Sequence, residues 1–345
     1  MNISILVKKQ YAAALNLSGF VRRRIRKKAG HNAVILMYHR VIDMRNATDR
    51  LQAGMVVHPE TFDHHVRYLL QNFDVASIDT LSRMMRGERR NEQGKPICVL
   101  TFDDGWSDFY KNAFPILKRY GVPGTVFLTT GFVGTDDSFW TDKLARMFYK
   151  REEQIHAKRN IEKSSNLIVD LMENGGGSAE NRLERSIELM KSRRQEEING
   201  ILSILSERWQ EKSLSTERDF LTWNEVREMH RSGLVSFGSH TESHRILTTL
   251  DEREIEEELE RSKNRLLDEG VADPASLAFA YPNGDYNDHI AESVERQEYR
   301  LAVTTRKGWI DCHESGGLFE LKRIGIHQDM SLTQAMFACR ILQII

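Results

Sequence analysis

Three cysteines in 345 residues, Cys98, Cys312 and Cys339, are too few and too scattered for a disulfide framework or a zinc knuckle. They read as small buried hydrophobes. Long apolar runs are also lacking, and a composition of 40% hydrophobic and 29% charged residues excludes a polytopic membrane protein and fits a soluble or peripheral one. Lys8 and Lys9 interrupt the early apolar stretch, and Ala12–Leu17 is too short for a secretory core, so a cytoplasmic protein without a signal peptide is expected. There is no internal repeat.

Net charge is almost absent too, at −1, but the balance hides an asymmetry. Residues 1–30 hold Lys8, Lys9, Arg22, Arg23, Arg24, Arg26, Lys27 and Lys28 with no acid. Such an arm is either a solvated tail or a binder of anionic surfaces. Ile3, Ile5, Leu6, Ala13, Ala14 and Leu17 would form the apolar side of a short helix lying on a membrane. The arm lacks interleaved aromatics, so nucleic acid is not an expected partner.

The length suits one large catalytic domain, over residues 31–345, behind this segment. Strand-like runs recur at Ala33–Tyr38, Phe73–Ile78, Ile97–Phe102, Thr125–Thr129, Leu234–Gly238, Leu277–Tyr281, Tyr299–Thr304 and Phe319–Ile326. Amphipathic stretches at Pro59–Gln71, Asp108–Tyr120, Asn224–Ser232, Asp251–Glu269 and Asp288–Gln297 lie between most of them. This alternation predicts a parallel α/β architecture, and seven or eight units favour a barrel over an open sheet. From about 140 to 219 the alternation gives way to a charged, helical-period insertion, expected to flank or cover a groove. Thr222 and Glu225 have the spacing of a capping box.

Chemistry-bearing residues gather at the expected C-terminal ends of strands, where α/β barrels carry their sites. Asp103 and Asp104 follow Ile97–Phe102, and adjacent strand residues point oppositely, so the two acids can take different tasks. Alone, that pair reads equally as an exposed turn with Gly105. His240 and His244 follow another apolar strand, and imidazoles four apart on a helical turn can chelate one cation. Two imidazoles and one carboxylate leave coordination positions open, as a catalytic metal requires. Zinc is the first expectation, with nickel, cobalt, iron and manganese compatible with the same donors. His39 also ends a strand, as a pocket residue or a structural histidine.

Taken together, Thr101–Phe102–Asp103–Asp104–Gly105, Ser239–His240–Thr241–Glu242–Ser243–His244, Ala280–Tyr281–Pro282–Asn283–Gly284 and the opening Leu36–Val41 resemble the polysaccharide deacetylase family. The resemblance covers roughly residues 33–135 and 220–330. It implies a distorted (β/α)7-type barrel, Asp103 as catalytic base, and Asp104, His240 and His244 as metal ligands. It also implies an oxyanion donor in the Asn283 amide, with Tyr281 and His39 on the substrate side, and His327 as the candidate general acid. The family's arginine that orients the base is replaced by Ala280, which leaves Asp103 in need of another cation. The implied reaction removes N-acetyl groups from an amino-sugar polymer or oligosaccharide in exopolysaccharide or cell-envelope metabolism. Alternatives are a deacylase of a lipid-linked amino sugar or small amide, and a carbohydrate-binding relative without catalysis.

Overall fold

The structure, a computed structural model, describes residues 3–43, 53–89, 91, 94–154, 165–210, 218–313 and 317–345. Its strands are β1 (Asn32–Tyr38), β2 (Arg40–Val41), β3 (Val56–Val57), β4 (Asp74–Ala76), β5 (Ile97–Phe102), β6 (Gly124–Leu128), β7 (Val235–Ser239), β8 (Ala278–Ala280), β9 (Leu301–Val303), β10 (Ile310–Asp311) and β11 (Ile324–Gly325). The parallel order β1–β5–β6–β7–β8–β9 forms the main sheet, and β11 pairs with β1 on the side away from β5. Val303 of β9 bridges Leu321 in parallel, three residues before β11. The sheet therefore curls back on itself as a distorted seven-stranded barrel, with β4 and β10 as additional edge strands and β2–β3 as a separate pair.

Side-chain alternation divides the strands between two cores. Ala33, Ile35, Ile97, Val99, Phe127, Ala278, Ala280, Leu301 and Val303 pack together on one face. Val34, Leu36, Cys98, Leu100, Val126, Leu128, Phe279 and Ala302 pack on the other, against helices that include Pro59–Asn72 and Glu252–Asp268. Strands covered on both faces explain why the sequence reads there as continuous apolar runs. All three cysteines are buried and free.

Helix starts follow local chemistry. Thr222 and Glu225 close the expected capping box at the helix Trp223–Arg231, and Asp251 with Glu254 forms a second at Glu252–Asp268. The stretch after Asp108 opens with a π turn over Phe109–Ala113 before continuing as the helix Phe114–Tyr120.

The described residues divide into two compact units, one of them holding those between 136 and 219. In the latter the helices Trp140–Gln154, Leu167–Asn174, Ala179–Lys191 and Gln195–Trp209 share a core of Leu144, Phe148, Met172, Leu183, Met190 and Leu205. Glu173 knots three of these helices by accepting hydrogen bonds from Arg151, Arg208 and Trp209. Residues 155–164 and 211–217 of the expected insertion lie outside the described residues.

Candidate active site

Ile97, Val99, Thr101 and Asp103 share one parity along β5, so Asp103 continues the line of inward side chains just past the strand's end. Its backbone N–H donates to the Tyr38 carbonyl at 3.0 Å, which carries the β1–β5 ladder one residue beyond the strands. The chain then turns sharply, with Asp104 at φ 76° and Gly105 at φ 82°. A Cβ at Gly105 would also come within 2.8 Å of the Leu128 side chain, so glycine is required twice over. Four of the seven non-glycine residues with positive φ among the described residues are Asp104, Thr241, His244 and Asn283. Backbone strain of this kind, costing ~1–3 kcal/mol per residue, gathers where geometry is over-determined for function.

Asp104 Oδ1 lies 3.4 Å from His240 Nε2 and 3.2 Å from His244 Nε2. One ligating atom from each of the three residues falls within 4.8 Å of the others. His240 Nδ1 donates to the Ala280 carbonyl at 2.7 Å, which leaves a lone pair on Nε2 of the neutral ring. Trp106 Nε1 donates to Asp104 Oδ2 at 2.8 Å, which turns Oδ1 toward the imidazoles. Arg40 lies over the Trp106 ring at 4.2 Å and is itself tied to Asp108 at 2.7 Å. Three lone-pair donors converging on one place, two of them buried and oriented by a partner behind them, fit a divalent cation. Burial raises the Asp104 pKa, but the two imidazoles outweigh it and hold the carboxyl well below the usual range.

The histidine pair does not sit on a helical turn, as its spacing suggested. His240 follows β7 in a loop in which Thr241 and His244 are left-handed, and this brings the rings to 4.9 Å centroid to centroid. The loop is held from behind by the buried Glu258 of the helix Glu252–Asp268. Its carboxylate accepts from the Glu242 and Ser243 amides at 2.9 Å each and from the Ser243 hydroxyl.

Asp103 has a cationic partner after all. Both its oxygens accept 2.7 Å bonds from Nη1 and Nη2 of Arg323, which is fully buried. Arg323 is fixed in turn by the Thr304 carbonyl and Thr101 Oγ1. The guanidinium expected at position 280 thus arrives from the segment leading into β11, on the far side of the barrel closure. Burial raises the Asp103 pKa, whereas Arg323, His240 and His39 outweigh it and hold the carboxyl below its ordinary value. His39 Nε2 stands 4.0 Å from Asp103 Oδ2 with its side chain part-exposed, which fits the pocket reading of that residue.

One other sequence assignment changes. Tyr281 is fully buried, its hydroxyl donates to the Phe319 carbonyl and its amide to Val303, so it is a core residue without a free donor for an oxyanion. His327 lies between Asp329, 3.2 Å from Nδ1, and Arg340, 3.4 Å from Nε2. Burial, Arg340 and His39 lower its pKa against the opposing pull of Asp329, so near pH 7 it begins neutral. Asn283 is exposed in the short turn Pro282–Gly284 at φ 59°, with its side chain bonded to Asp285.

Comparison with known proteins decides the family. The polysaccharide deacetylase profile matches residues 90–159 and 184–302, more than half of the chain. The chain belongs to the polysaccharide deacetylase family. This deacetylase is 21% identical over 299 residues to YxkH of Bacillus subtilis, a protein assigned by name to the same family, covering 86% of the chain and 72% of YxkH. It is 26% identical over 167 residues to the poly-β-1,6-N-acetyl-D-glucosamine N-deacetylase of Staphylococcus aureus, covering 46% of the chain and 52% of that relative. The deacetylase shares its fold with Streptococcus pyogenes PplD, solved with acetate, at a TM-score of 0.57 and 23% identity over 91% of this chain and 98% of PplD. IcaB of Ammonifex degensii gives 0.56 and 18% over 90% and 97%.

Proposed function

We propose that this chain is a metal-dependent hydrolase that removes N-acetyl groups from an amino-sugar polysaccharide or oligosaccharide of the exopolysaccharide or cell-envelope type. The observation that carries the reading is the adjacency of an arginine-held carboxylate, Asp103, to the donor set Asp104, His240 and His244. The name of the staphylococcal relative supports an N-acetylglucosamine polymer as the substrate class.

Asp104, His240 and His244 hold the cation. When bound there, it polarises an amide carbonyl and acidifies water. Asp103 is the base: Arg323 occupies one lone pair on each oxygen, and the lone pairs left over accept the proton of the attacking water. Its lowered pKa keeps it ionised across the neutral range. The protonated Asp103 then delivers that proton to the departing sugar nitrogen. His327, beginning neutral, would first have to acquire a proton and is the less direct donor. The Asn283 amide, in its left-handed turn, is the proposed donor to the oxyanion, a contribution of ~3–4 kcal/mol where such donors are well aimed.

Acetate release from N-acetylglucosamine oligomers, measured before and after chelation and on return of zinc, nickel, cobalt, iron or manganese, tests the reading. Loss on chelation with recovery on return is expected. Undiminished release from metal-free protein would refute the metal assignment.

A further inference from the structure

The N-terminal helix Ile3–Leu17 carries apolar residues on two sides, and only one of them is used by the fold. Ala12 is fully buried, and Leu15 packs against the same core. The opposite side carries Leu6, Val7, Tyr11 and Leu17, which are 41%, 58%, 52% and 87% exposed, and Phe20 follows at 37%. Ala14 is exposed among them, and at 3.6 residues per turn positions 6, 7, 11, 14 and 17 fall on a single stripe that the polar Gln10 interrupts. Four of the ten large hydrophobics exposed among the described residues fall within this helix, and a fifth, Phe20, follows it. Singly exposed apolar side chains need no explanation, but a stripe of them does.

Every charged residue of this N-terminal segment is positive. Lys9, Arg22, Arg23, Arg24, Arg26 and Lys27 are all exposed, and residues 1–30 contain no acid. Arg22 to Arg26 come from the next helix, Phe20–Arg26, which Lys27 caps and which anchors itself through buried Val21 and Ile25 and turns its arginines outward. Arg24 lies over the Phe20 ring at 5.3 Å, which places a cation directly against one of these exposed apolar side chains. Among the described residues no helix is long and apolar enough to cross a membrane.

We propose that this face docks on an anionic lipid bilayer, with Leu6, Val7, Tyr11, Leu17 and Phe20 entering the headgroup boundary and the arginines and lysines meeting lipid phosphates. Apolar side chains flanked by Lys and Arg are what an interfacial helix requires. Each basic residue at an anionic surface contributes about a fivefold gain in binding. Nucleic acid would use the cations and leave the apolar stripe in water. A second copy would bring one cationic rim against another.

The test is co-sedimentation of the full chain with phosphatidylcholine vesicles and with vesicles that also contain phosphatidylglycerol, at low and high salt. Binding to the anionic vesicles alone, weakened by salt, is expected. Leu6→Gln with Leu17→Gln should weaken it roughly tenfold or more, and Arg22→Glu with Arg26→Glu should remove the preference for anionic lipid. Circular dichroism and acetate release from soluble oligomers should stay unchanged in both variants, which separates lost docking from lost folding or catalysis. Equal affinity for both vesicle types, or for neither, would overturn the proposal. So would a concentration-dependent dimer that the leucine variants dissociate, or salt-sensitive binding to duplex DNA without binding to vesicles.

Discussion

At the scale of single residues, the pairing of Asp103 with Arg323 has the clearest consequence. Lysine cannot reproduce two parallel bonds to a carboxylate, so Arg323→Lys keeps the charge and loses the orientation. Because the guanidinium depresses the Asp103 pKa, weakening it raises that pKa, and a base is active only when deprotonated. The acid limb of the kcat/KM profile should move to higher pH, and turnover near neutrality should fall roughly ten- to a hundredfold. A profile that matches the wild type would show that Arg323 does not act through Asp103. The arginine is also where sequence reasoning stopped short. Asp103, Asp104, His240 and His244 were legible because they follow closely on apolar strands, whereas Arg323 lies 220 residues from its partner and meets it only when the barrel closes. Ala280 correctly marked a gap but could not say what filled it. The indole of Trp106, two residues from Asp104, was nearer at hand, but an aromatic after a glycine reads as core until its N–H is seen to point at a carboxylate.

At the scale of elements, most strands and helices were visible, because strands buried on both faces and amphipathic helices leave different periods. The histidine loop was misread as a helical turn, since spacing of four is shared by both and the left-handed residues Thr241 and His244 are not glycines. His65, on the helix Pro59–Asn72, belongs to no sequence motif, yet its ring is buried and stacks on Phe337 at 3.7 Å. Nε2 donates to the Ser331 carbonyl, and Nδ1 accepts from the Tyr38 hydroxyl, tying β1 to the C-terminal helices. Burial pushes its pKa down to about 3. The unfolded chain therefore binds a proton near pH 6.5 that the folded chain refuses until about pH 3, and stability present above pH 6.5 is lost on acidification through that window. The slope from this group approaches about 1.4 kcal/mol per pH unit at most. His65→Gln can keep both hydrogen bonds without titrating. Urea unfolding followed from roughly pH 7, above that window, down to roughly pH 4, inside it, should show a flatter dependence in the variant, and an unchanged slope would remove His65 as its source.

At the scale of the whole molecule, the barrel brings together groups from four separated strand ends. β1 supplies His39, β5 both acids, β7 the histidine loop, and the entry to β11 the arginine. That architecture was predictable as a parallel barrel, but its closure through the Val303–Leu321 bridge was not, because so short a pairing leaves no periodic trace. The arginine assignment also removes the motive for reading the chain as a non-catalytic carbohydrate binder, since the base has its partner. The central claim is a division of labour, with Asp104, His240 and His244 holding a metal and Asp103 acting on water. Metal content and acetate release measured side by side on wild type, Asp103→Asn and His240→Ala test it most directly. The account predicts that Asp103→Asn keeps its metal while losing at least ~10²-fold in turnover, and that His240→Ala loses both. Full activity in Asp103→Asn, or undiminished metal and activity in His240→Ala, would contradict it.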